Sequence, residues 1–89
     1  MRFEYDPAKS LANKAKHGID FEEAQALWVD AHLAAWPVPG LGEPRFLAVG
    51  LIGKKMWTAV ATDRGGTTRI ISVRRARADE IEKYHGGRV

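Results

Sequence analysis

The spacing of apolar positions changes several times along the chain, and each change marks an element. Phe3 and Tyr5 alternate with Arg2 and Glu4, the period-two pattern of a short strand with one buried face. Asp6-Pro7 then reads as a helix start, because Asp6 can cap exposed backbone N–H groups and Pro7 suits the first helical position. Ala8, Leu11, Ala12 and Ala15 fall at helical spacing and predict the buried stripe of a short helix. Lys14 and Lys16 lie near its negative pole, and Gly18 can stop it. A second helix is predicted from Asp20 to near Asp30. Asp20 and Glu23 form a variant capping box, Ile19 and Ala24 stand where a hydrophobic staple would, and Ala24, Leu27 and Trp28 continue the buried face.

From His32 onward the pattern is that of strands. His32–Trp36 predicts one, closed by Pro37-Val38-Pro39-Gly40, where prolines remove N–H donors. Arg45–Ile52, Lys55–Thr62 and Thr67–Arg74 predict three more, joined by turns at Gly53-Lys54 and Arg64-Gly65-Gly66. Ala76–His85 reads as a helix with Ile81 and Tyr84 on one face, ended by Gly86-Gly87. The expected class is α+β in the order β-α-α-β-β-β-β-α. That is an antiparallel sheet with two N-terminal helices and one C-terminal helix, in a single domain over residues 1–89.

Composition narrows the classes open to such a chain. At 45% hydrophobic and 28% charged residues it is globular in type, and with no cysteine it has neither disulfides nor a thiolate metal site. The opening MRFEYDPAKS is too polar for a secretory signal, and runs such as LAAW and FLAVGLIG fall far short of the roughly 20 residues of a membrane span. A cytoplasmic protein without membrane contact is expected. His32 and His85 have no spacing partner, so neither a metal site nor a cofactor is expected.

The net charge of +3 hides an uneven distribution. Residues 1–44 carry −3, residues 45–77 carry +7 with Asp63 as the lone acid, and residues 78–89 carry −1. A strongly basic block suits a polyanion, because each phosphate neutralised releases condensed counterions. It is also compatible with an ordinary solvated face.

Several motifs recur in a recognisable order. FEYDPAKSLANKAKHGIDFEEA contains an aromatic-x-aromatic-Asp-Pro strand exit, a Lys-His-Gly helix end and Phe-Glu-Glu-Ala. After it come Glu43-Pro44-Arg45, Gly50 in a small-residue strand, Thr62-Asp63-Arg64, an Arg-Ile-Ile-Ser-x-Arg run from Arg69 to Arg74, and Glu80-x-x-x-Tyr84. This set resembles the BrnT toxins over nearly the whole chain. Tyr5 stands where Trp is common, Val73 where Ala is usual, and the Pro37/Pro39 spacing bears on the loop before Arg45. The resemblance implies a RelE-like fold and a ribonuclease that inhibits translation. It also implies neutralisation by a BrnA-like, DNA-binding antitoxin of ribbon-helix-helix type, with promoter DNA bound only through the complex.

Metal-independent RNA cleavage uses the substrate's own 2′-OH as nucleophile. The protein must help remove that proton, stabilise charge on the phosphorane and protonate the leaving 5′ oxygen. Arginine suits the second task through its planar, permanently charged fork. The two turns bring Arg45, Arg64 and Arg69 to one end of the sheet and leave Arg74 at the other, near Trp57 and the Lys54-Lys55 turn. Strict alternation would put Arg69, Ile71 and Val73 on one face, and Ile70, Ser72 and Arg74 on the other.

The candidate catalytic residues are Arg64, Arg74, Arg45, Tyr84, Glu80 and His17, with Arg69, Arg75, Lys54 and Lys55 as further RNA contacts. Each has a second reading. Arg64 is also a natural turn residue, while Arg45 and Arg69 could form salt bridges with Asp63 or Glu43. Arg74, flanked by Arg75 and Arg77, reads as an anion ligand. Glu80 is a base, or else neutralises Arg77 or holds Arg74 in place, and Tyr84 is a general acid or a core anchor. His17 is a proton carrier or a cap favoured by the helix dipole. The competing function is a non-catalytic basic module that docks nucleic acid or an acidic protein.

Overall fold

The computed structural model describes residues 1–40 and 42–86, so Gly87 of the expected C-terminal stop lies outside it. Five strands form one sheet: β1 (Arg2–Glu4), β2 (Ala34–Val38), β3 (Arg45–Ile52), β4 (Lys55–Arg64) and β5 (Thr67–Arg75). Their order across the sheet is β1-β5-β4-β3-β2. The fold is α+β, with helices α1 (Pro7–His17) and α2 (Ala78–Gly86) and a 3₁₀ helix over Glu23–Val29. The sheet is mixed rather than wholly antiparallel, because β1 runs parallel to β5, with Glu4 opposite Arg69.

The local signals at the start of the chain act as their chemistry requires. The Asp6 carboxylate accepts from the N–H groups of Ala8 and Lys9, and Gly18 ends α1 in the left-handed region at φ 82°. Asp20 and Glu23 cap one another reciprocally, at 2.7 and 3.0 Å. The element that follows is nevertheless 3₁₀, not α. Its buried residues, Ala24 and Leu27, continue a three-residue spacing that starts at Phe21 just before it, and three residues per turn stacks them in a single row.

The buried side of α1 differs from the expected one. Leu11 is 73% exposed, and Ala8, Ala12 and Ala15 face solvent, whereas Ser10 and Asn13 are buried. The reason lies in β5. Pairing with β1 stops at Arg69, which leaves the β5 edge at Val73 without a strand neighbour. Asn13 supplies the missing partners, donating from Nδ2 to the Val73 carbonyl at 2.9 Å and accepting from the Val73 N–H at 3.2 Å. Ser10 Oγ accepts from the Phe21 N–H at 2.9 Å. A buried backbone group without a partner costs about 1–3 kcal/mol, more than the ~0.8 kcal/mol that burying one alanine methyl contributes.

Strand β2 also departs from expectation, because Pro37 lies inside it opposite Phe46. β2 is an edge strand, where the missing N–H of proline can face away from the one neighbour. The Gly65-Gly66 turn has φ of 55° and 89°, the doubly positive pair of a type I′ hairpin that places Arg64 opposite Thr67.

The main core fills the first face of the sheet. There Ala48, Trp57, Ala59, Ile70 and Val73 pack against Ile19, Phe21, Ala24 and Leu27. On the second face α2 covers one end only, where Tyr84 packs with Val49 and Met56, and Ile81 and Trp36 flank them. The rest of that face, from Val60 and Ser72 to Arg69, stays partly open.

Candidate active site

A single irregularity decides which arginines share a surface. Ala61 pairs with Ile70, and Val60 pairs with Ser72, so Ile71 is an extra residue in β5. Such a bulge reverses the alternation beyond it. Ile70 and Val73, expected on opposite faces, both enter the first-face core. Arg69 opposite Thr62 and Arg74 opposite Thr58 therefore share the second face, which corrects the strict alternation expected from the sequence.

At the open end of this face, three strands each present an arginine: Arg45 from β3, Arg64 from β4 and Arg69 from β5. Two carboxylates lie among them. Glu43 takes the Arg64 fork side-on, accepting from Nε at 2.8 Å and from the second terminal nitrogen at 3.0 Å. Glu4 accepts from Arg69 at 2.7 Å and has Arg64 4.0 Å away. The Thr62 hydroxyl donates to the Pro44 carbonyl and ties the loop carrying Glu43 to β4. The hydrogen bond from Arg64, with the nearby charges of Arg64, Arg45 and Arg69, holds the Glu43 carboxyl below its ordinary range despite some desolvation. Arg64 is raised in turn by its bond to Glu43 and by the charge of Glu4.

The other end of the face is closed. Glu80 is 3% exposed and receives both terminal nitrogens of Arg74, at 2.7 and 2.8 Å. It also accepts from the Thr58 hydroxyl and the Arg77 N–H, each at 2.9 Å, which completes the first turn of α2. The Arg74 bond lowers its carboxyl to about 2, against the opposing effect of burial. The Tyr84 hydroxyl donates at 2.7 Å to Asp30, whose carboxylate also accepts from the N–H groups of His32 and Leu51. Burial works to raise the Asp30 carboxyl, but these bonds outweigh it and the net direction is down. Arg75 lies over the Trp57 ring at 5.4 Å, and Lys54 and Lys55 are exposed at the β3–β4 turn.

The named candidates thus fall into separate places. Arg45, Arg64 and Arg69 come together, while Arg74, Glu80 and Tyr84 lie towards the other end of the strands. His17 ends α1, half-buried one turn beyond Asn13. Arg74 stands opposite Thr58 and Arg69 opposite Thr62, four residues apart along β4 and roughly 13 Å between backbones, so the two groups are neighbouring clusters on one face. Sequence reasoning did not single out Glu4, Asn13 or Asp30. No local motif marks Glu4, which reaches Arg69 only through the parallel pairing of β1. Among the described residues no group of three His, Asp or Glu side chains converges as a metal-ligand set, and no helix is long and apolar enough to cross a membrane.

Residues 5–80 match the family described as ribonuclease toxin, BrnT, of type II toxin-antitoxin system. The chain belongs to this family. The match takes in Arg45, Arg64, Arg69, Arg74 and Glu80, while Glu4 and Tyr84 lie just beyond its two ends. No curated protein matches the chain. BrnT membership implies a ribonuclease toxin with an RNA substrate and a protein antitoxin as partner.

Proposed function

We propose that this BrnT-family protein is an endoribonuclease that cuts RNA without a metal ion, at the open end of the second sheet face. The observation that carries the reading is the convergence of Arg45, Arg64 and Arg69 from three adjacent strands beside an uncovered surface. A scissile phosphate seated there meets fixed guanidinium donors as its charge grows, the arrangement that most lowers the barrier of a phosphoryl reaction. The substrate 2′-OH attacks phosphorus, O5′ departs, and a 2′,3′-cyclic phosphate is left.

Arg74, Glu80 and Tyr84 act in this reading as scaffold, since Glu80 and Tyr84 are buried and Glu80 holds Arg74 through both terminal nitrogens. Arg75, Lys54 and Lys55 extend the basic surface along the RNA. The fold is RelE-like in kind, and the toxin works in the cytoplasm by destroying RNA needed for translation. A BrnA-like antitoxin of ribbon-helix-helix type masks the face, and promoter DNA is bound only through that complex.

The test is purified protein with RNA in EDTA. Cleavage to products ending in a cyclic phosphate is expected, with Arg64→Ala and Arg69→Ala each slower by about 100-fold or more. RNA left intact at enzyme excess refutes the reading. Salt-sensitive binding without product would instead identify a non-catalytic binding module.

A further inference from the structure

The carboxylates near the arginine cluster are not equivalent. Glu43 engages both oxygens with Arg64. Glu80 at the far end is buried and engaged through both oxygens. Glu4 differs: Oε2 accepts from Arg69 at 2.7 Å, and Oε1 has no hydrogen bond among the described residues. Its side chain is 39% exposed, so the free oxygen is open to a ligand. The parallel register that sets Glu4 opposite Arg69 puts it on the second face beside the arginines that would seat a phosphate.

Resting on the ribonuclease reading, we propose that Glu4 is the general base of the reaction. Oε1 takes the proton of the 2′-OH while O2′ forms its bond to phosphorus. The P–O5′ bond breaks, its electron pair leaves on O5′, and O5′ takes a proton from solvent. Glu4 then returns its proton to water. Arg69 holds the carboxylate through Oε2, which aims the other oxygen and keeps one guanidinium edge beside the reacting phosphate. Both Glu43 oxygens accept from Arg64, and those bonds favour its charged form, which makes it the poorer proton acceptor.

The experiment measures kcat and KM against pH for a defined RNA oligonucleotide in EDTA, with wild type, Glu4→Gln and Glu4→Asp. Binding of the same oligonucleotide with 2′-O-methyl groups throughout is measured alongside. Gln keeps an acceptor for Arg69 but cannot take the proton. For Glu4→Gln, kcat is expected to fall by about 100-fold or more, with binding of the methylated strand within about threefold of wild type. The acidic limb of the kcat profile, present in wild type, is lost in Glu4→Gln and retained in Glu4→Asp.

A Glu4→Gln enzyme within about threefold of wild-type kcat overturns the assignment. So does a loss confined to binding, or an acidic limb that survives the substitution, since either marks Glu4 as a mere anchor for Arg69. If wild type itself leaves RNA intact, the ribonuclease reading fails and this one falls with it. If wild type cuts and Glu4→Gln cuts equally well, only the base is wrong.

Discussion

Replacing Glu80 by Gln tests the assignment of the far end of the face as scaffold. The native carboxyl lies at about 2, against an ordinary value of 4.5. Linkage converts that difference to about 3 kcal/mol in favour of the folded state at neutral pH. As pH falls, the unfolded chain takes up the proton first, because its carboxyl has the higher pKa. The stabilisation is therefore full above about pH 5 and is lost by about pH 2. Gln has no such term. It can still accept one hydrogen bond from Thr58 or the Arg77 N–H, but it leaves Arg74 without its counter-charge.

The expected loss at pH 7 is about 2–3 kcal/mol, a large fraction of the ~4–13 kcal/mol typical of a domain this size. Urea unfolding of both proteins, followed by tryptophan fluorescence at pH 7, 5, 4 and 3, reads the difference directly. The gap between them should shrink steadily below about pH 5. A gap that is absent at pH 7, or that stays constant down to pH 3, refutes the charge-based account. Cleavage by the folded variant should match wild type under conditions where both are folded.

Two further substitutions test the packing. An added Cβ at Gly50 would stand 3.2 Å from the Asp30 carboxylate and 3.3 Å from Leu27 and Leu33, and Asp30 is held by three hydrogen bonds. Gly50→Ala should therefore lower stability by about 1–2 kcal/mol, seen as a lower urea midpoint with unchanged slope. Asn13→Ala strips the Val73 N–H and carbonyl of their partners and should lose about 2–3 kcal/mol. Hydrogen exchange should show the Val73 amide losing protection before the β3–β4 hairpin does.

Much of the frame is local and so was legible in order along the chain. Asp6 and Gly18 bound α1, Asp20 and Glu23 cap each other, and the Gly53 and Gly65-Gly66 turns set hairpins that bring Arg45, Arg64 and Arg69 to one end. Each depends on residues a few positions apart, where backbone geometry and side-chain reach leave few choices. The family motifs likewise lie in the sequence itself.

The remaining features depend on partners far apart in the chain. Which side of α1 is buried depends on an unpaired strand edge at Val73, 60 residues from Asn13; the alanines looked like a core stripe but gain little from burial. Periodicity predicted an α-helix where three-residue spacing against the sheet makes a 3₁₀ turn. The bulge at Ile71 moved Arg69 and Arg74 onto one face because a single unpaired residue reverses alternation. For Arg74 the sequence offered both an anion ligand and a residue held by Glu80, and the fold forms the second, with both terminal nitrogens on that carboxylate. The arginine cluster was foreshadowed by the turns, but Glu4 joins it only through a parallel pairing with a strand 65 residues away. Side-chain chemistry along the chain therefore supplied the arginines proposed to seat a phosphate, and long-range pairing decided which carboxylate stands beside them with an oxygen to spare.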